Sequence, residues 1–145
     1  MVIWGWLTLA VLAVTGAIGA YTDISQRIIP NHLLLVAGFV LLTFSVLGGR
    51  VVAALVGAAV LVVIALISVA VGGFGMGDLK YLGVVGLGLG PVAGLLALFL
   101  AALAAVVWRL PLALRKGAKA TFAFGPFIAV GSVMAPLIVL AVAGR

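Results

Sequence analysis

From Val51 to Val71 the chain runs 21 residues without one charged side chain. A helix needs about 20 apolar residues to cross the hydrocarbon core of a bilayer. Backbone N–H and C=O groups find no water there, so they must be paired within the segment. One such run already argues for a membrane-spanning helix. The rest of the chain repeats the pattern, as apolar stretches broken by short polar stops. At 68% hydrophobic and 7% charged, it lies far from the composition of a soluble domain. The expected fold is all-α, a polytopic membrane protein with about six transmembrane helices in a single domain over residues 1–145.

The six expected segments run as follows. The first covers about Val2–Tyr21, with Trp4 and Trp6 as interfacial anchors, and has no basic start that would mark a cleaved signal. A polar stop, Thr22 to Arg27, follows. The second covers Asn31–Leu47, with Asn31 as N-cap and Pro30 holding the preceding turn out of helix. After the Gly48-Gly49-Arg50 turn, the third covers Val51–Val71. Gly72-Gly73-Phe74-Gly75-Met76-Gly77-Asp78 is too glycine-rich for regular helix. A short fourth segment covers Asp78–Leu89 and a fifth covers Pro91–Val107. The spacing of Gly86, Gly90 and Gly94 reads as a small-residue packing ladder. The last segment starts at Gly125-Pro126, where proline suits a first turn, and ends near Ala143.

Six crossings place Arg27, Lys80, Arg109, Arg115, Lys116 and Lys119 on one side and Arg50 and Arg145 on the other. Positive charge favours the cytoplasm, so the N-terminus is expected outside. The net charge of +6 is thereby assigned to topology and the lipid bilayer, with no nucleic-acid partner. The absence of cysteine excludes disulfides, thiolate metal sites and cysteine nucleophiles.

The only acidic side chains are Asp23 and Asp78. Carboxylates inside a membrane protein are costly and are usually kept for function. Two crossings separate these, so both fall at the cytoplasmic end. The fourth segment rises only about 18 Å against a core of about 30 Å, which sets Asp78 below the surface, with Lys80 snorkelling outward. Two carboxylates sharing a site hold one proton between them. One takes a proton from water while the other donates to a scissile carbonyl oxygen. That is the equipment of an aspartyl protease, with no cofactor and no metal required. Gly75 and Gly77 would leave room for an extended substrate and permit unusual dihedrals. Lys80 would offset charge at the site.

Gly75-Met76-Gly77-Asp78 resembles the GxGD motif of intramembrane aspartyl proteases, and most closely the type IV prepilin peptidase family. Asp23 with Ile29-Pro30-Asn31 is similar to that family's first catalytic aspartate, placed just after a helix and followed by an Ile-Pro-Asn-like turn. Lys80 matches its lysine soon after the second aspartate. Phe124-Gly125-Pro126-Phe127 resembles the start of its last helix. The resemblance implies catalytic Asp23 and Asp78, with Gly75, Gly77 and Lys80 toward substrate. It implies cleavage of basic leader peptides from type IV pilin-like precursors, whose N-terminal helix is hydrophobic. The location implied is the cytoplasmic face of the inner membrane. Larger members carry a cysteine-containing methyltransferase domain. This chain lacks cysteine and room for that domain, and so resembles the short peptidase-only form of Flp-type pilus systems or archaeal relatives. Presenilin-like proteases share GxGD, but their flanking elements fit less well.

Plainer readings stand beside these. His32 reads as an interfacial first-turn residue, although an Asp/Asp/His metal site is conceivable. Arg27 either pairs with Asp23 or marks the cytoplasmic side. Tyr21, Tyr81 and Trp108 read as interface aromatics. A small proton-coupled transporter using Asp23 and Asp78 is the main alternative, but transporters tend to hold such groups near the midplane within inverted repeats. A non-catalytic assembly factor would not need both aspartates.

Overall fold

The computed structural model describes residues 2–71, 73–116 and 124–143, with the backbone alone at 2, 109–116 and 143. Among these residues the structure is all helical: α1 (Val2–Gln26), α2 (Asn31–Leu47), α3 (Val51–Ala70), α4 (Met76–Lys116) and α5 (Gly125–Ala143). Helices α1, α3, α4 and α5 are long and apolar enough to cross a membrane, and α2 is a shorter apolar helix. The chain is that of a multi-pass membrane protein. The expectation of six spans is corrected. Among the described residues there are five helices, four of them long and apolar enough to span, because the fourth and fifth segments run through Gly90 with no loop between them. Gly72, Lys119 and Arg145, and the side chains of Arg109, Arg115 and Lys116, lie outside the described residues.

Gly90 has φ 75 and ψ −175, a conformation closed to residues with a Cβ. Pro91 follows it, pre-set for a first helical turn. The helix doubles back at this point. Gly86 Cα lies 3.8 Å from where a Cβ on Gly94 would stand, whereas eight residues of straight helix would separate them by about 12 Å. Helix α4 is thus two neighbouring arms, 76–89 and 91–116.

The arms pack on α3 through bare backbone. A Cβ on Gly57 would fall 2.5 Å from the Gly86 carbonyl oxygen and 2.6 Å from Gly90 Cα. Lipid tails are as apolar as leucine, so helix association in a bilayer depends on such close van der Waals contact between small residues. The glycine ladder is a packing device, as its spacing suggested. Gly131 repeats the device where α5 meets the carbonyl of Ala97 on the second arm, and Gly16 does so where α1 meets Ala129 on α5. Leu12, Leu41, Leu61, Tyr81, Leu82 and Val85 are fully buried between the helices.

Three local expectations change. Helix α1 runs past Tyr21 to Gln26 because its polar residues satisfy themselves within the helix. Thr22 Oγ1 donates to the Ile18 and Gly19 carbonyls at 3.1 Å, and Ser25 Oγ donates to that of Tyr21 at 2.7 Å. The N-cap of α2 is Pro30, which makes no side-chain cap, rather than Asn31. Tyr81 is fully buried, whereas Tyr21 and Trp108 are exposed.

The two ends of the bundle differ. At one, Trp4 meets Phe44 with ring centroids 5.7 Å apart, and Gly90 sits beside Ala53 near the start of α3. The C-terminal end of α1 and the N-terminal end of α4 meet at the other, and both aspartates lie there.

Candidate active site

Asp23 occupies the last full turn of α1 rather than a loop after it. The helix closes when Arg27 takes a positive φ of 55 and its N–H donates to the Asp23 carbonyl at 3.0 Å. The chain then turns through buried Ile29 and extended Pro30. This leaves the Asp23 side chain only 9% exposed. One of its oxygens, Oδ2, accepts a hydrogen bond from the backbone N–H of Gly125 at 2.9 Å.

Asp78 is the third residue of α4. Gly75 caps that helix, its carbonyl accepting from the Leu79 N–H at 3.2 Å. The Asp78 carboxylate reaches back to accept from the Gly75 N–H at 3.1 Å. This is one half of a capping box, the N3 carboxylate returning to the N-cap N–H, since Gly75 has no side chain to complete it. The Gly-Met-Gly-Asp run therefore has a local physical meaning. It starts a helix and turns the carboxylate of its third residue back over the helix end, where the positive end of the macrodipole favours it. Neither Gly75 nor Gly77 uses a left-handed conformation. The expectation of unusual dihedrals is corrected; a Cβ would meet Asp78 Oδ2 at 3.5 Å on Gly75 and Ile29 at 3.6 Å on Gly77.

The five residues singled out from sequence line one cavity of about 300 Å³: Asp23, Asp78, Gly75, Gly77 and Lys80. The charge of Asp23 acts on Asp78 across it. Lys80 Nζ donates to Asn31 Oδ1 at 2.9 Å, which ties the first turn of α4 to the first turn of α2. His32 is exposed on that same turn of α2. The sequence reading gave no cavity role to Ile28, Ile29 or Asn31, which also line it together with Arg27. Their position on the return from α1 to α2 was the available signal.

A second cavity, of about 730 Å³, lies between α2, α3 and the first arm of α4. Leu34, Leu35, Phe39, Val62, Val84 and Leu87 make its walls apolar, and it meets the first cavity at Asn31 and Lys80.

The start of α5 is joined to the start of α4 by aromatic stacking. The rings of Phe74 and Phe124 lie 4.7 Å apart at 26°. Each phenylalanine immediately precedes the glycine whose N–H holds one of the aspartates.

The only two acidic side chains of this apolar, helical chain thus line one cavity. Residues 9–110 match the type IV leader peptidase family, and the chain belongs to that family. It is thus a protease of the prepilin leader peptidase kind. No curated protein and no solved structure matches it. The matched segment includes both aspartates and ends before Phe124 and Gly125.

Proposed function

We propose that the protein is an intramembrane aspartyl endopeptidase that removes the basic leader peptide from type IV pilin-like precursors of the Flp type. The observation that carries this reading is the shared cavity of Asp23 and Asp78 in a chain with no other acidic side chain. One carboxylate takes a proton from water. The resulting hydroxide equivalent adds to the scissile carbonyl carbon, while the other carboxyl donates its proton to the carbonyl oxygen. The tetrahedral intermediate collapses, the C–N bond breaks, and the amine leaves with a proton from the dyad. The shared proton belongs to the pair, so neither aspartate is assigned a fixed role.

In this reading Gly75 and Gly77 leave the substrate backbone room to extend beside Asp78, and Lys80 stands at the cavity mouth. The apolar groove between α2, α3 and α4 takes the precursor's hydrophobic helix, and the scissile bond enters past Asn31 and Lys80. The site faces the cytoplasm, in the inner membrane, on the strength of the positive charges counted at that end. Residues 1–145 act as one peptidase domain.

Co-expression with a pilin-type precursor in membranes tests the proposal. Wild type removes the leader, while Asp23→Asn and Asp78→Asn, both expressed and folded, do not. Cleavage that persists in either variant would remove that aspartate from the mechanism.

A further inference from the structure

Gly125 lies 102 positions from Asp23 in sequence and outside the segment that matches the family. Its N–H nevertheless donates to Asp23 Oδ2 at 2.9 Å in a buried setting. Helix geometry explains why that donor is available. Phe124 is the residue before α5, and its carbonyl accepts from the N–H groups of Phe127 and Ile128 at 3.0 and 3.2 Å. Pro126 has no N–H to give. Gly125, at the first helical position, has an N–H that needs a partner outside its own helix. It is aimed at Asp23.

The contact also requires glycine. A Cβ at position 125 would stand 2.6 Å from Asp23 Oδ2, 3.2 Å from Cγ and 3.3 Å from Cβ. Any side chain there displaces the carboxylate. Gly75 differs, since a Cβ on it would meet Asp78 Oδ2 at an ordinary 3.5 Å. The Phe74–Phe124 stack fixes the start of α5 against the chain that enters α4.

We propose that Gly125 is a positioning residue. Its N–H holds one oxygen of Asp23 so that the other faces Asp78 and substrate, and the Phe74–Phe124 stack sets the spacing between the two glycine N–H donors that hold the dyad. This rests on the peptidase reading for its catalytic consequence, although the clamp itself is a property of the resting protein. Holding a reacting group in place contributes only while the geometry is kept, and a displacement of about 1 Å can cost about 100-fold in rate.

The test uses the purified full chain in detergent or liposomes. Because the chain has two aspartates and no glutamate, ¹³C-labelled aspartate gives only two side-chain carboxyl signals, assigned with Asp23→Asn and Asp78→Asn. In Gly125→Ala the Asp23 signal moves, and by more than the Asp78 signal. With a pilin-type precursor, kcat falls about 10- to 100-fold while KM stays within about twofold. Gly5→Ala, where a Cβ meets nothing within 4 Å, changes neither. A second measurement covers a Gly125→Ala chain that does not fold. In ¹⁵N-glycine-labelled protein, Asp23→Asn shifts the Gly125 amide proton and Asp78→Asn leaves it in place.

An Asp23 signal unmoved by Gly125→Ala, an unaltered Gly125 amide in Asp23→Asn, or a kcat within about twofold of wild type would each overturn the proposal. So would a fall in kcat in which the Asp78 signal moves as far as the Asp23 signal or further, since that is general damage. Absence of cleavage by wild type would overturn the peptidase reading and the catalytic role drawn from it, while the two spectroscopic comparisons would still decide whether the clamp exists.

Discussion

Lys80 and Asn31, 49 residues apart, are joined by a hydrogen bond of 2.9 Å that stands between the polar cavity and the apolar groove. The sequence suggested that Lys80 would offset charge at the aspartates or snorkel to the interface. Its ammonium also closes the gap between the first turns of α2 and α4. A lysine acting only on charge would be indifferent to Asn31. The expected outcome is that Asn31→Ala and Lys80→Met each raise KM about three- to tenfold with kcat nearly kept, and that the double variant is no worse than either single one, because both remove the same contact. Kinetics on the three variants decide it. Additive losses would separate the two residues.

Asp23 and Asp78 are each predicted to be indispensable. General acid–base groups contribute about 10²- to 10⁴-fold, and a dyad that shares one proton loses both functions when either partner is lost. Asp23→Asn and Asp78→Asn therefore reduce the cleavage rate by about three orders of magnitude. The double variant falls no further, since residues acting as a unit are not additive. Single-turnover cleavage of a labelled precursor in liposomes measures this. A variant that keeps a tenth of the wild-type rate would exclude its aspartate from the chemistry.

Much of this site is legible in the sequence because charge is so scarce in it. Two acids among apolar residues, at helix ends counted off by hydropathy, are brought to one cavity by topology alone. The bounds of α2 and the break at Gly90 were likewise announced by Pro30, Leu47 and the Gly90-Pro91 pair. What could not be read depends on contacts between distant segments. Hydropathy cannot distinguish two separate spans from one helix doubled back at Gly90. Nor does it show that Thr22 and Ser25 bond to their own helix and carry α1 past Asp23. Gly125 looked like the ordinary start of a last helix, and its bond to Asp23 exists only once α1 and α5 are packed.

Gly57 should tolerate no side chain. A Cβ there would fall 2.5 Å from the Gly86 oxygen and from the Gly90 carbonyl carbon, and backbone cannot rotate away as a side-chain tip can. Overpacking of this kind costs about 1–3 kcal/mol. It forces α3 from the bend in α4 rather than touching the aspartates. Gly57→Ala is expected to lower the thermal unfolding midpoint in detergent, with Gly5→Ala unchanged beside it. An undiminished midpoint would mean that the α3–α4 seam gives way more easily than its backbone contacts imply.

The last prediction concerns a polar atom that packing has left poorly paired. Tyr81 is fully buried one turn beyond Asp78, and its hydroxyl faces Ser132 without a well-formed hydrogen bond. The Ser132 Oγ donates to the Ala129 carbonyl at 2.9 Å, which turns its own proton away from the tyrosine. Space around the hydroxyl is tight, since a Cβ on Gly16 would come within 2.9 Å of it. A buried, unsatisfied hydroxyl carries a desolvation cost that an apolar group of the same shape does not. Removing it while keeping the ring retains the packing between α1, α4 and α5 and relieves that cost. Tyr81→Phe is therefore expected to be as stable as wild type or more stable, by up to about 1 kcal/mol. Tyr81→Leu, which empties part of the ring's volume, should lose about 2 kcal/mol or more. Thermal unfolding of the two variants checks both signs. If Tyr81→Phe proved the less stable protein by a clear margin, the hydroxyl would have to be holding a partner, and Ser132 would be the residue to change next.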